Sequence, residues 1–489
     1  MKRLLPERAL RRAAPVAAAV LALAIAGCAD MGAINANPKM QTAESLGLGA
    51  AAATPALDSQ WWLAFGDPQL DALVDQAIAG NPNLQVAQAR LARARASVMS
   101  AEAADKPQIN GGLDLTRQKF SENYIYPAPL GGSVQETGTL QFSAGWEIDF
   151  FGKNRTAIEA ALGTANSAAA EADAARVLLA SNVARGYVQW ARLNDRLVVA
   201  ERALAQREEL LRLVRDRVSA GLDTRLQLKQ SESSVPEARQ QIEAINEQIA
   251  IARHALDALV AKPNATQSLT PPRLANLKAM ALQQTIPADL LGRRADIAAA
   301  RWRVEAATSD VANAKTQFYP NVNLVAFAGF QSIGFDNLLK SSSQQWGVGP
   351  AIRLPIFEGG RLRANLRGKS ADLDAAIDSY NATVIDAVRD VADQVTSVQS
   401  VARQQVQQKE AQEAAEAAYD IGLQRYSAGL GNYLDVLTAE VTVLAQRRDG
   451  VDLAGRALES QVGLARALGG GWQPTDANHA AAEPAPRHP

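Results

Sequence analysis

Residues 155–220 contain no proline, and neither do residues 361–428. Proline breaks a helix interior, so each stretch is free to run as one helix. At 1.5 Å per residue, such a helix spans on the order of 100 Å. Compact globular domains rarely hold helices of that length. Both stretches close on the same turn, RVSAGLDTRLQLKQSE at 217–232 and RYSAGLGNYLDVLTAE at 425–440. Seven of the sixteen positions match, 208 residues apart. A returning helix follows each turn. The chain is therefore built from two copies of one unit, and the repeat governs the fold.

Gly221 and Gly429 sit where a helix ends and the backbone must turn left-handed, a conformation that favours glycine. We take both as helix-reversal positions. In the second returning helix Leu430, Leu434, Leu437, Val441, Leu444, Val451, Leu458, Val462 and Ala465 follow a 3.5-residue spacing, interrupted at Arg448 and Gly455. Ile242, Ile245, Ile249, Ala252, Leu256 and Leu259 do the same in the first. Such seams predict helices packed along one another. Pro236, inside the first returning helix, predicts a kink or a split there.

Ahead of each long helix the period changes. In TLQFSAGWEIDF (139–150) apolar and polar residues alternate, the mark of a strand with two unlike faces. A weaker alternation fills INGGLDLTR at 109–117, and a Gly/Pro-bearing loop over 119–138 joins the two. NVNLVAFAGF (321–330) and QWGVGPAIRLPIF (345–357) repeat the arrangement. We expect strands at about 108–118, 139–150, 321–331 and 345–355. Before the first pair, 58–107 reads as two helices divided near Gly80-Asn81-Pro82.

Strands of about ten residues suit a tilted bilayer crossing. Four cannot close a barrel, because the smallest common ones have about 8. Open edges in lipid leave backbone groups unpaired, so other chains must complete the ring. Three chains supply about twelve strands, enough for an aqueous lumen. A soluble protein with two small sheets and a helical stalk is the other reading of the same alternation.

Charge is balanced, with 50 Lys plus Arg against 51 Asp plus Glu, which argues against nucleic acid as a partner. Only 3 histidines are present, too few to build a metal cluster; His254 reads as an ordinary helix-face residue. No GxSxG elbow or HExxH motif occurs, so an enzyme is not indicated and no cofactor is expected. Cys28, the single cysteine, follows a basic start and the apolar run AAPVAAAVLALAIAG. That layout is a secretory signal, too short to span a membrane. IAGC resembles the lipobox of bacterial lipoproteins, which implies cleavage before Cys28 and a lipid on its sulfur. A plain signal peptide with an incidental cysteine is the alternative. Ala29, rather than Asp, directly follows Cys28 and favours export to the outer membrane, with Asp30 one place further on.

Several stretches resemble the TolC-like outer-membrane factors, especially the OprM/NodT-type efflux lipoproteins. They are WWLAFGDPQLDALVDQAI, NPNLQVAQARL, WEIDFFGKNRTAIEAA, IPADLLGRRADIAAA, LPIFEGGRLRANL and YSAGLGNYLDVLTAE, in order from about residue 60 to 468. Ala295 departs from the family's usual proline. The resemblance implies a mainly α fold with a membrane β-barrel. Two internal repeats give four strands per chain, completing a trimeric twelve-stranded barrel above a long helical periplasmic tunnel. It implies passive export of drugs or other small molecules, with a periplasmic adaptor and an inner-membrane pump of the resistance-nodulation-division type as partners. Besides the homotrimer and outer-membrane lipid, no further partner is implied.

The resemblance also places a closed gate at the two turns. It points to Asp435 and Tyr426 as gate positions, with Arg425, Asp223 and Arg225 available beside them. Thr438 and Gln227 stand where relatives often carry Asp, which thins the charge ring. The chain then divides into a signal peptide 1–27, a lipid-anchored linker 28–57, a first repeat 58–260, an inter-repeat linker 261–293, a second repeat 294–468 and a disordered tail 469–489. The competing functional readings are a periplasmic adaptor and a structural envelope lipoprotein. An adaptor would carry one helical hairpin, not two in tandem.

Overall fold

The computed structural model describes residues 38–42, 45, 57–280 and 290–474. Cys28, the signal segment and most of the linker to residue 57 lie outside these. Two short helices come first, α1 (Pro68–Gly80) and α2 (Pro82–Ala104). Strands β1 (Gln108–Lys119) and β2 (Val134–Glu147) precede α3 (Lys153–Ser219) and α4 (Arg225–Val260). The second copy holds α5 (Ala295–Thr316), β3 (Asn321–Ile333), β4 (Gln344–Arg353), α6 (Arg361–Ser427) and α7 (Tyr433–Ala467). The two long helices, α3 and α6, are each 67 residues. The helical hairpin is thus duplicated without insertion.

The chain divides into two compact units. One comprises 91–167 and 300–380 and holds the sheet. All four strands pair antiparallel in the order β1-β2-β3-β4. The β2–β3 pairing joins the two repeats, with Leu140 opposite Phe330 and Trp146 opposite Leu324. Gly329 permits that approach, since a Cβ there would lie 2.1 Å from the Leu140 carbonyl oxygen. β1 and β4 are left as open edges. Strand β2 begins at Val134, inside the expected loop, and ends at Glu147, short of the expected 150. Thr137 and Glu136 extend the ladder because β1 pairs with them. Ile148–Phe150 instead fold into a tight turn, with the Phe150 amide donating to the Ile148 carbonyl at 2.9 Å.

The other unit comprises 41–90, 168–299 and 381–489. Its main core gathers Trp61, Trp62, Phe65, Leu70, Tyr187, Trp190 and Leu256. Asp67 caps α1 by accepting from the Gln69 amide at 2.9 Å, and its second oxygen accepts from the Tyr187 hydroxyl at 2.7 Å. The inter-repeat segment is part of this core through Leu274, Leu277 and Met280. Residues 469–472 are packed too, contrary to the disordered tail expected there. The Trp472 indole donates to Asp173 at 2.9 Å. A Cβ on Gly471 would fall 2.0 Å from the Asp58 carbonyl oxygen, and this residue has φ 73°.

Two further expectations change. Helix α4 continues through Pro236 instead of splitting. Val235 and Ala238 are buried on either side, so packing holds the helix across the lost backbone bond. The buried face near the start of α7 is Tyr433, Val436, Glu440, Val443 and Arg447, one residue before the expected seam. Leu430, Leu434 and Val441 are exposed on the single chain, whereas Leu458, Val462 and Ala465 are buried as the seam predicts. Hydrophobic spacing cannot see a buried Glu or Arg that has its own partner.

Candidate gate at the hairpin turns

Both returning helices start from the same device. Thr224 caps α4 and Gln227 reaches back to it. Asn432 caps α7, its side chain accepting from the Asp435 amide at 2.9 Å. Each pair is a capping box, satisfying two otherwise orphaned amides. Gly221 and Gly429 have φ 75° and 76°, the left-handed backbone that ends the preceding helix.

Beside these turns, two hairpins are tied at one carboxylate. The Arg217 Nε donates to Asp223 Oδ2 at 2.9 Å, and Nη2 donates to Oδ1 at 3.3 Å. The Tyr426 hydroxyl, from the other repeat, also donates to Asp223 Oδ2. Arg217 Nη1 donates to the Tyr426 carbonyl oxygen at 3.0 Å, and its guanidinium lies 4.5 Å from the Tyr426 ring centre. The Arg217 and Asp223 side chains are only 14% and 5% exposed. Burial alone would raise the Asp223 carboxyl, but hydrogen bonds from Arg217 and Tyr426 outweigh it and hold it below the usual carboxylate range. Burial, then the bond to Asp223, pushes the Tyr426 hydroxyl up.

Two more ties follow along the helices. Arg207 Nε donates to the buried Glu440 at 2.9 Å, and Nη1 donates to the Ser234 carbonyl oxygen at 3.0 Å. Arg447 Nε donates to Glu416 Oε1 at 2.6 Å, and Nη1 donates to Gln206 at 2.8 Å. That bond holds the Glu416 carboxyl below its usual range. Tyr419, packed nearby, is pushed up to about 12, first by burial and then by the charge of Glu440. Apolar contacts among Leu210, Val214, Tyr419, Tyr426, Tyr433 and Val436 enclose the cluster.

Of the residues singled out in sequence, Asp223 and Tyr426 come together. Arg425 instead donates to the carbonyl of Leu430 in its own turn at 3.2 Å. Arg225 is exposed. Asp435 is exposed and serves the α7 cap. Arg217 was missed, although it is one of the positions shared by the two turns. Arg447 and Glu416 were missed too; their signal was the same pair at Arg239 and Glu208, 208 positions earlier.

The profile of the Outer membrane efflux protein family matches residues 73–262 and 286–470, one segment for each repeat. The chain belongs to that family. Over 371 residues it is 40% identical to the fusaric acid resistance protein FusA of Burkholderia cepacia, covering 73% of this chain and 69% of that one. Over 464 residues it is 33% identical to the putative multidrug resistance outer membrane protein MdtQ of Shigella flexneri, covering 93% and 97%. The outer membrane protein VceC of Vibrio cholerae superposes with a TM-score of 0.80 at 35% identity, covering 84% of this chain and 98% of that one. The outer-membrane channel OprN does so at 0.80 and 28%, covering 91% and 98%.

The fold is therefore TolC-like: mainly helical, built of two repeats, with four strands per chain contributing to a trimeric barrel and long helices to a tunnel. The protein is an outer-membrane efflux channel. Family membership removes the adaptor and the structural lipoprotein as readings, and the family is one of transport channels.

Proposed function

We propose that the trimer is the passive exit duct of a three-part efflux pump, and that the Arg217–Asp223–Tyr426 cluster holds its periplasmic mouth closed. Cargo reaches the duct from an inner-membrane pump of the resistance-nodulation-division type through a periplasmic adaptor docked at the hairpin turns. Toxic small organic molecules are the cargo class that the names of FusA and MdtQ support. Cys28 carries the lipid anchor, on the strength of the IAGC sequence. The observation that carries the gate is convergence: a side chain from each repeat binds one buried carboxylate. Removing one partner of the buried Arg217–Asp223 pair costs about 3–5 kcal/mol, and the Tyr426 hydroxyl adds the hydrogen bond from the second hairpin. Asp435 adds an exposed carboxylate in each chain at the second turn, repeated around the threefold axis, where it would favour cations.

Single-channel conductance of the trimer in a planar bilayer tests this. Asp223→Ala should raise the resting conductance several-fold, and Tyr426→Phe should raise it less. Resting currents equal to wild type in both would remove the cluster from the gate. Cross-linking from an engineered cysteine at exposed Leu222 or Leu430 should capture the adaptor in cells.

A further inference from the structure

Where the strands give way to the long helices, the sheet-bearing unit holds a cavity of about 590 Å³. Its walls come from the end of β2, the start of β3, the end of β4 and the first residues of α3 and α6. That volume lies within the range of small-molecule sites.

Strand alternation sorts the strand residues of its wall by face. Paired residues in an antiparallel sheet share a face, and Phe142, Ala328 and Trp346 form one row, Val322 and Ile352 another. This is the apolar, bilayer-facing side of the sheet. Arg353 pairs with Asn321, and Glu147 pairs with Asn323, on the opposite side. That polar side faces the lumen in a membrane barrel. The cavity has wall residues of both faces, Val322 on the apolar one and Glu147, Asn321 and Arg353 on the polar one, and this polar wall stands beside the path of the cargo.

Its acids and bases balance, Glu147, Asp149 and Glu358 against Lys153, Arg353 and Arg361. Lys153 Nζ binds Glu147 at 2.9 and 3.0 Å. Arg361 Nε binds Glu358 at 2.8 Å. Asp149 accepts from the Arg155 amide at 2.9 Å, where it caps α3. Of the three cations in it, Lys153 and Arg361 are paired, whereas the Arg353 side chain is exposed and has no hydrogen bond or ion pair among the described residues. Aromatic rings share the cavity with it. Phe151 stacks on Tyr319 with ring centres 5.0 Å apart and planes at 11°, and Phe357 is largely exposed.

We propose that this cavity is a lumenal station for amphipathic aromatic carboxylates. The guanidinium of Arg353 takes the carboxylate in a two-pronged hydrogen bond. Phe151, Tyr319 and Phe357 receive the apolar body. Three such stations exist per trimer, one in each chain. Binding is weak, because a duct must release what it holds. The station rests on the chain being an outer-membrane channel and gives that channel a preference of its own.

The test uses the full-length trimer in planar bilayers with salicylate as probe, and benzamide and acetate as controls at matched ionic strength. Salicylate should reduce wild-type conductance in a saturable way, whereas benzamide lacks the charge and acetate lacks the ring. In Arg353→Ala the salicylate needed for half-block should rise about tenfold, the loss of a two-pronged, charge-assisted contact at an exposed site. Arg353→Lys should fall between the two. Saturation-transfer NMR on trimers in nanodiscs reads the same binding without current. Equal block by salicylate in wild type and Arg353→Ala overturns the station, and so does equal block by acetate. Trimers that form no pore at all would fail the channel itself, a separate result.

Discussion

Arg217 and Arg425 occupy one position of the repeat and meet different fates. Arg217 is enclosed between two hairpins and grips Asp223 and the Tyr426 backbone. Arg425 stays in its own turn, bonded to Leu430. The partner decides this, for the second turn carries Gly431 where the first has Asp223. The same divergence recurs higher up. Arg239–Glu208 and Arg447–Glu416 are one ion pair written twice. The Arg239 side chain is 64% exposed, that of Arg447 only 5%. Glu232 and Glu440 repeat the lesson: one binds a neighbouring Lys229 on its own helix, the other is buried on Arg207. Duplication copied the residues, and packing then gave each copy a different energy. Exposed pairs contribute about 0–1 kcal/mol, whereas losing one partner of a buried pair costs several.

The ion pair that appears twice offers the sharpest test. Arg447→Ala should destabilise the trimer by about 3 kcal/mol per chain, the low end for a buried pair because Glu416 keeps 30% exposure. Arg239→Ala, its image in the first repeat, should cost at most about 1 kcal/mol. Heat-induced dissociation of the trimer on a gel ranks the two. Equal losses would mean that the repeats are energetically alike, and the comparison would collapse.

Acid attacks the tie at the first turn. Asp223 is held below the ordinary carboxyl value of 3.8, so its tie contributes fully above that pH. The contribution is lost as pH falls through the lower value that the carboxyl has in the fold. Tyr426 shifts upward from 10.0, so its share persists until alkali begins to ionise the unfolded hydroxyl there. Resting conductance should therefore stay flat between about pH 5 and 9 and rise only in stronger acid. Asp223→Asn should remove the acid step. An acid step that survives in Asp223→Asn would locate the sensitive group elsewhere.

The duplication, the helices, the strand pairs and the turns were all legible in the sequence, because proline, glycine and alternation report local backbone directly. The α7 seam was read one residue off because Glu440 and Arg447 look like surface residues until their partners are known. Asp223 was legible as an acid near a turn. Its bond to Tyr426 was not, since the two lie 203 positions apart and only the bundle brings them together. Arg353 was invisible as a site residue: its distinction is a missing partner, and absence of a partner is a property of three dimensions.

The caps should behave alike where the ties do not. Thr224→Ala and Asn432→Ala each remove an N-cap acceptor, worth about 1 kcal/mol. Both should lower the dissociation temperature slightly and by similar amounts. A large difference would show that one turn carries load beyond its own helix.

The smallest effect belongs to Asp435, and it separates capping from charge. Its carboxylate accepts from the Asn432 amide at 3.4 Å while remaining exposed. As an acid in the first turn of α7 it also suits the positive end of that helix. Asp435→Ala removes the acceptor and the charge together, whereas Asp435→Asn keeps an acceptor oxygen. If the three carboxylates act as a ring, both variants should raise resting conductance modestly and reduce cation preference equally. If Asp435 only starts the helix, Asp435→Asn should match wild type in conductance and in reversal potential under a salt gradient. Either way the change should be smaller than that of Asp223→Ala, since an exposed carboxylate loses little when neutralised and a buried one leaves Arg217 without its partner.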